Sequence, residues 1–282
     1  MRKWTFARWK QHFLNRVVPY AVLCLVGVMF VVPLLWVIFA ALDPHPRLTL
    51  KIPGSITLGH ISSILLDSSI RQSFANGLFL SLGQSVVVVI VSGLAAYPLS
   101  RYSLRYKKPF MYTILFATAL PITAVMVPVY QLFLLLNFQD SLVWTMFFLA
   151  ASSLPYAIWM MKNFMDSVPV ELEEAAWCDG ASVWRGLRSV IAPLMLPGIF
   201  TVGIFTFATS WGNFFVPYIL IQSPKKLPAS VTIYQFFGQY GMVEYGKLAA
   251  FSLLYTIPAV ALYIIGQRFM SGGFYLGGAT KG

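Results

Sequence analysis

Apolar positions in this chain gather into six long runs, at 17–42, 76–100, 110–136, 142–161, 191–221 and 248–267, and none contains Asp, Glu, Lys, Arg or His. Each run reaches the roughly 20 residues needed to cross the hydrocarbon core of a bilayer. Backbone groups in hydrocarbon must be satisfied within their own segment, so each run predicts a helix. The expectation is an all-α membrane protein with six transmembrane helices, organised as one domain over 1–282. The first run is expected to be kept rather than cleaved, because no small-residue cleavage site follows it. Pro121, Pro128, Pro193, Pro197, Pro217 and Pro258 interrupt the runs. They mark places where a membrane helix can break if neighbours re-satisfy its backbone.

Composition and charge sharpen this picture. Hydrophobic residues make up 58% of the chain and charged residues 10%, against roughly 25% charged in soluble domains. The net charge of +11 is not spread evenly. Taking alternate connections as one side of the membrane, 14 of the 20 Lys and Arg fall with the two termini and 6 on the other side. The positive-inside rule then puts both termini in the cytoplasm, and the chain in a cytoplasmic membrane. The basic tail, with Arg2, Lys3, Arg8, Lys10 and Arg16 among Trp4, Phe6, Trp9 and Phe13, suits contact with membrane lipid. A nucleic-acid partner is excluded, because the basic residues are divided among short loops.

The same inventory narrows the chemistry. His12, His45 and His60 are isolated in loops, and Cys24 and Cys178 belong to different levels of the chain. Neither set predicts a metal site or a disulfide. Runs without titratable groups leave nothing for acid–base or nucleophilic catalysis, or for proton coupling. The chain has no Gly-x-x-x-x-Gly-Lys-[Ser/Thr] phosphate loop, no His-Glu-x-x-His and no Gly-x-Ser-x-Gly. It is expected to be non-catalytic and to bind no cofactor itself.

One connection stands apart. Between the fourth and fifth runs, 162–190 holds five of the nine acidic residues: Asp166, Glu171, Glu173, Glu174 and Asp179. Within it, 167–190 reads as two short helices joined at a glycine. Ser167 is a candidate N-cap, Pro169 fits a first turn, and the glutamates then sit near the positive end of the helix dipole. Gly180 is a candidate left-handed C-cap and Ser182 a second N-cap. Small Ala175 and Ala176 beside Trp177 and Trp184 make an acidic, partly apolar knob suited to a groove on a partner. On these residues alone, an amphipathic pair lying on the membrane and touching only its own chain fits equally well.

The elbow resembles the coupling loop of binding-protein-dependent ABC importer permeases. That pattern is Glu-Ala-Ala, three residues, Gly, nine residues, then Ile-x-Leu-Pro. Glu174, Ala175, Ala176, Gly180 and Pro193 match it in register, with Val190 in place of Ile and Ala192 in place of Leu. Trp177 and Cys178 replace the common Arg-Ile pair. Other segments resemble the smaller, six-span permease of maltose-type carbohydrate importers: Pro33 to Trp36, Ala95-Ala96-Tyr97 ahead of Arg101, Val127-Pro128-Val129-Tyr130, and Trp211, Asn213, Phe215 and Pro217. Gly238 to Gly241 and the glycine-rich tail from Gly277 complete the likeness.

The resemblance implies a type I ABC importer permease fold in the inner membrane of a prokaryote. It implies Glu173, Glu174, Ala175, Ala176, Asp179, Gly180 and Pro193 as the ATPase-coupling residues. It also implies the partners: a second homologous permease, two ABC ATPase subunits that bind ATP and Mg, and an extracytoplasmic solute-binding protein. The cargo it implies is a sugar or sugar derivative: an oligosaccharide, disaccharide, polyol or glycerol phosphate. An amino-acid or peptide importer shares the elbow pattern, and hydropathy alone also fits a six-span receptor or scaffold. Readout along the path must use neutral groups, and the candidates are Asn213, Trp211, Gln131, Thr209 and Tyr218. Ordinary helix packing or bonding of a hydroxyl to its own helix competes for each of them.

Overall fold

The computed structural model describes residues 2–237 and 243–278. The Gly238 to Gly241 stretch and the last four residues of the glycine-rich tail lie outside them. Among the described residues every regular element is helical. In order these are α1 (Arg2–Leu42), α2 (Gly59–Leu66), α3 (Ser68–Arg101), α4 (Lys107–Ala117), α5 (Ile122–Leu135), α6 (Leu142–Asp166), α7 (Val170–Cys178) and α8 (Val183–Gly186). A π-helical turn (Leu187–Ile191) leads into α9 (Ala192–Leu194), α10 (Leu196–Trp211) and α11 (Phe215–Leu220). A 3-10 turn (Pro224–Lys226), α12 (Ala229–Thr232), a second 3-10 turn (Ile233–Phe237) and α13 (Tyr245–Gly278) complete the chain.

Four stretches are long and apolar enough to cross a membrane: Arg16–Leu42, Ser68–Arg101, Leu142–Asp166 and Tyr245–Phe269. They coincide with the first, second, fourth and sixth apolar runs. The third and fifth runs are broken, at places marked by their prolines. Lys107–Ala117 and Ile122–Leu135 meet at 92°, and Val183–Leu194 and Leu196–Trp211 at 74°. Both breaks follow from proline. Pro121 is extended (φ −66°, ψ 129°) and precedes α5; its ring disfavours helix in the residue before it. Pro193 and Pro197 have no amide hydrogen to donate. The chain answers Pro193 by widening the preceding turn, so that the Ala192 amide reaches back to Leu187 O, and α10 sets off in a new direction beyond Met195.

The chain divides into two compact units, Met1–Asp67 with Ile233–Leu254, and Ser68–Thr232 with Tyr255–Gly282. In the first, Ala40, Ala41, Ile64, Ala249, Ala250 and Phe251 are buried. Trp36 meets Tyr245 edge-on at 6.3 Å between centroids, and its indole N–H donates to Arg47 O at 3.1 Å. Beyond Arg16 the exposed side of α1 carries no charged residue, with Phe30, Met29 and Leu23 all exposed, as a lipid-facing helix requires.

The second unit is built on α3, which packs against α6 and α10. Gly77, Ser81, Ser85, Val88, Ser92 and Ala96 are all buried. Their spacing of three or four puts them on one face, a stripe of small side chains that lets helices approach closely in a membrane. The approach of α10 to α6 is closer still: a Cβ built on Gly198 would lie 2.7 Å from Phe164 Cβ. Met161, Met165, Ile191, Met195 and Val202 close the core at the end of α3 that carries Arg101.

Candidate functional site

The elbow lies at that Arg101 end, and its shape follows from a few backbone rules. Ser167 does not cap α7, contrary to expectation. It closes α6 instead, its hydroxyl donating to Phe164 O at 2.6 Å. Pro169 takes the N-cap position in an extended conformation. Its fixed φ turns the chain without needing a capping side chain. Glu171 and Glu173 then occupy the first turn of α7, where the helix dipole favours negative charge. The far end is a Schellman motif. Gly180 has φ +82°, its amide donates to Trp177 O at 3.0 Å, and the Ala181 amide donates to Ala176 O at 2.9 Å. Ser182 caps α8 as expected, its hydroxyl accepting the Arg185 amide at 3.3 Å.

The two neighbouring glutamates face opposite ways. Successive residues on a helix are rotated by about 100°, and here that rotation separates a buried group from an exposed one. Glu173 is buried. Its Oε2 accepts from Arg101 Nε at 2.9 Å, and its Oε1 accepts from the Tyr97 hydroxyl. Glu174 is exposed and has no ionic or hydrogen-bond partner among the described residues. Ala175 and Asp179 are exposed with it, and Ala176 is half-buried. Leu172, Trp177 and Trp184 expose large apolar surface on the elbow, and Arg185 and Arg188 are exposed beyond it. Trp177 also lies against buried Gly186, 3.6 Å from where a Cβ would stand. Pro193 is exposed and sits past the π-turn. The elbow thus presents the exposed carboxylates of Glu171, Glu174 and Asp179, small alanines and bulky apolar rims on a surface its own chain leaves open.

Arg101 and Tyr97 are site residues that sequence reasoning missed. The available signal was their i, i+4 spacing at the end of an apolar run, which places both on one helix face. Nearby, Ser100 donates to Asp166 Oδ1 at 2.6 Å, and Lys162 pairs with the other oxygen of the same carboxylate.

The proposed path residues are not brought together. Trp211 is buried (4% exposed) between Phe207 and Tyr255, with stacked centroids at 5.8 and 4.9 Å. Its indole N–H donates to Tyr255 O at 3.0 Å, and the Tyr255 hydroxyl donates back to Trp211 O. Its ring and its donor are both engaged by its own chain. Asn213 Oδ1 accepts the Val216 amide at 3.0 Å, which satisfies the first turn of α11. Thr209 is exposed, but its hydroxyl bonds Phe205 O and Thr206 O of its own helix. Tyr218 is exposed and stacks on Phe214, and Gln131 is exposed on α5.

A second polar cluster ties the turn before α6 to the segment after α11. Asp140, in a left-handed conformation (φ 54°), accepts the Gln222 and Ser223 amides, the Ser223 hydroxyl and Lys226 Nζ at 2.6–3.0 Å. Burial alone would raise its pKa, but these donors outweigh burial and hold the carboxyl far below its ordinary 3.8.

Residues 88–271 match the family model described as binding-protein-dependent transport system inner membrane component. The chain is 29% identical over 254 residues to the sulfoquinovosyl glycerol transport system permease protein SmoH of Agrobacterium fabrum, covering 87% of each. It is 27% identical over 271 residues to the maltodextrin transport system permease protein MdxG of Bacillus subtilis, covering 95% of this chain and 97% of that one. Its fold matches a chain in the crystal structure of a bacterial ABC transporter involved in the import of the acidic polysaccharide alginate. The TM-score is 0.78 at 20% identity, covering 91% of this chain and 96% of that one.

Proposed function

This chain belongs to the family of binding-protein-dependent transport system inner membrane components, and we propose that it forms half of the membrane channel of an ATP-driven importer for a sugar or sugar derivative. Six spans, with the two bent pairs each counted as one, would leave both termini and the elbow in the cytoplasm. A second, homologous permease completes the channel. Two ATPase subunits supply the energy, since this chain has no phosphate loop of its own, and an extracytoplasmic solute-binding protein delivers the cargo. The cargoes named for the sequence relatives are a maltodextrin and a sulfoquinovosyl glycerol, and they support a carbohydrate here.

The observation that carries this reading is the elbow. A nine-residue helix is fixed on its inner side and offers Glu174, Ala175 and flanking apolar side chains on its outer side. A surface of this kind fits a groove on a soluble partner. When the ATPases close on ATP they would draw the two elbows together and tilt the helices attached to them. The hydroxyls, amides and rings at Thr209, Asn213, Gln131, Tyr218 and Trp211 remain the path residues to test.

Purification of the tagged chain from native membranes in mild detergent, followed by mass spectrometry, tests the assembly. Recovery of an ATPase, a second permease and a binding protein is expected, and the binding protein then identifies the sugar. Recovery of the chain alone, even after gentle cross-linking, would refute the importer and restore the receptor or scaffold reading. Within the complex, Glu174→Lys is expected to abolish uptake while the protein still inserts; normal uptake would remove the coupling role of the outer face.

A further inference from the structure

A lever between two joints transmits nothing unless something holds it. The helix α7 has a joint at each end: Pro169, extended and without a capping side chain, and Gly180, left-handed. What holds α7 is a pair of side chains near the end of α3, Arg101 and Tyr97. Arg101 Nε donates to Glu173 Oε2 on α7 at 2.9 Å. Its Nη2 donates to Val168 O at 3.0 Å, and its Nη1 to Met165 O at 3.3 Å and Ser100 Oγ at 3.4 Å. The guanidinium therefore joins three elements, α3, the C-terminus of α6 and α7, through a planar fork that only arginine presents. Tyr97, one turn earlier on α3, donates to the remaining Glu173 oxygen. Both carboxylate oxygens are thus held by α3.

The ion pair is dry, with side-chain exposures of 4% for Arg101 and 1% for Glu173. A pair taken out of water contributes little net stability compared with apolar packing. The cost of losing one partner, however, falls on the other. Such a pair keeps its two elements in register. We infer that Arg101 is a positioning residue for transport: through Glu173 and the carbonyls of Met165 and Val168 it locks α7 to α3 and α6, so that displacement of the elbow becomes displacement of the membrane helices. The adjacent glutamates divide the work. Glu174 faces the partner and Glu173 anchors the lever to its own chain. This rests on the importer reading above.

The test uses the whole importer reconstituted in proteoliposomes with its binding protein. Two quantities are read: ATP hydrolysed and sugar moved. Arg101→Lys keeps the charge but loses the fork, and Glu173→Gln keeps the shape but loses the charge; the Tyr97 hydroxyl can still bond the amide. Both complexes are expected to assemble and hydrolyse ATP. Sugar moved per ATP should fall about tenfold, within the span of ordinary coupling between sites. Arg101→Ala strands the buried carboxylate, and its yield is read separately. A wild-type ratio of sugar to ATP in both conservative variants would overturn the inference. So would loss of the ATPase from either complex, since the pair would then shape the docking surface rather than transmit its motion. Absence of ATP-driven uptake by the unmodified complex would instead remove the importer reading and the inference with it.

Discussion

Replacing Gly180 isolates the backbone of the elbow from its packing. The residue has φ +82°, and a Cβ built on it would meet no atom within 4 Å. Volume is therefore not at issue, and the cost of a side chain is the cost of holding an L-residue in the left-handed region. That cost is roughly 1–2 kcal/mol, and less for Asn, which visits this region through local hydrogen bonds. A penalty of this size lowers the population of the intact turn by a factor of about 5–30. Proline is worse on two counts. Its ring fixes φ near −65°, and it removes the amide that donates to Trp177 O at 3.0 Å. The expected order of uptake is Gly, then Asn, then Ala, then β-branched Val, with Pro inactive. The assay is entry of labelled sugar into cells or proteoliposomes, normalised to the permease in the membrane. An order that follows side-chain size, with Ala equal to Gly and Asn well below Ala, would refute the reasoning.

Two further outcomes follow from the packing and the loops. Gly198→Ala places a methyl 2.7 Å from Phe164 Cβ and Cγ and should destabilise the α6–α10 contact by about 1–3 kcal/mol, the usual cost of overpacking; thermal unfolding in detergent measures it, and Phe164→Ala should recover part of the loss. Asp140 is held well below its ordinary 3.8 in the folded chain, so the unfolded chain binds more protons between the two values. Its contribution to stability is then complete above about pH 4 and is lost as pH falls further; the acid limb of a melting-temperature profile should be shallower in Asp140→Asn.

Much of this was readable in the sequence because it rests on local chemistry. The apolar runs located the membrane-crossing stretches, since hydropathy needs no tertiary information. Gly180 and Ser182 were readable for the same reason: a left-handed turn and an N-cap each depend on one residue and its immediate neighbours. The bends were readable only in part: the prolines marked where 110–136 and 191–221 could break, but hydropathy sums composition along a run and is blind to direction, so the angles were not. The division between Glu173 and Glu174 was hidden because Arg101 lies 72 residues from Glu173, and only the fold says which glutamate it meets. The packing of Trp211 was hidden for a related reason. A tryptophan beside an amide resembles a sugar platform until Tyr255, 44 residues on, takes its N–H and its face.

The break between α4 and α5 bears on how the chain enters the bilayer as it is made. With eleven and fourteen residues, the two pieces are about 16 and 21 Å long at the α-helical rise. Both fall short of a hydrocarbon core about 30 Å thick. A nascent chain that has emerged only as far as Ala117 therefore holds no segment here able to stop across the membrane. The insertion machinery must wait until α5 has also left the ribosome and then accept the angled pair as one object, the amides of Thr118, Ala119 and Leu120 at the bend donating to carbonyls of the last turn of α4.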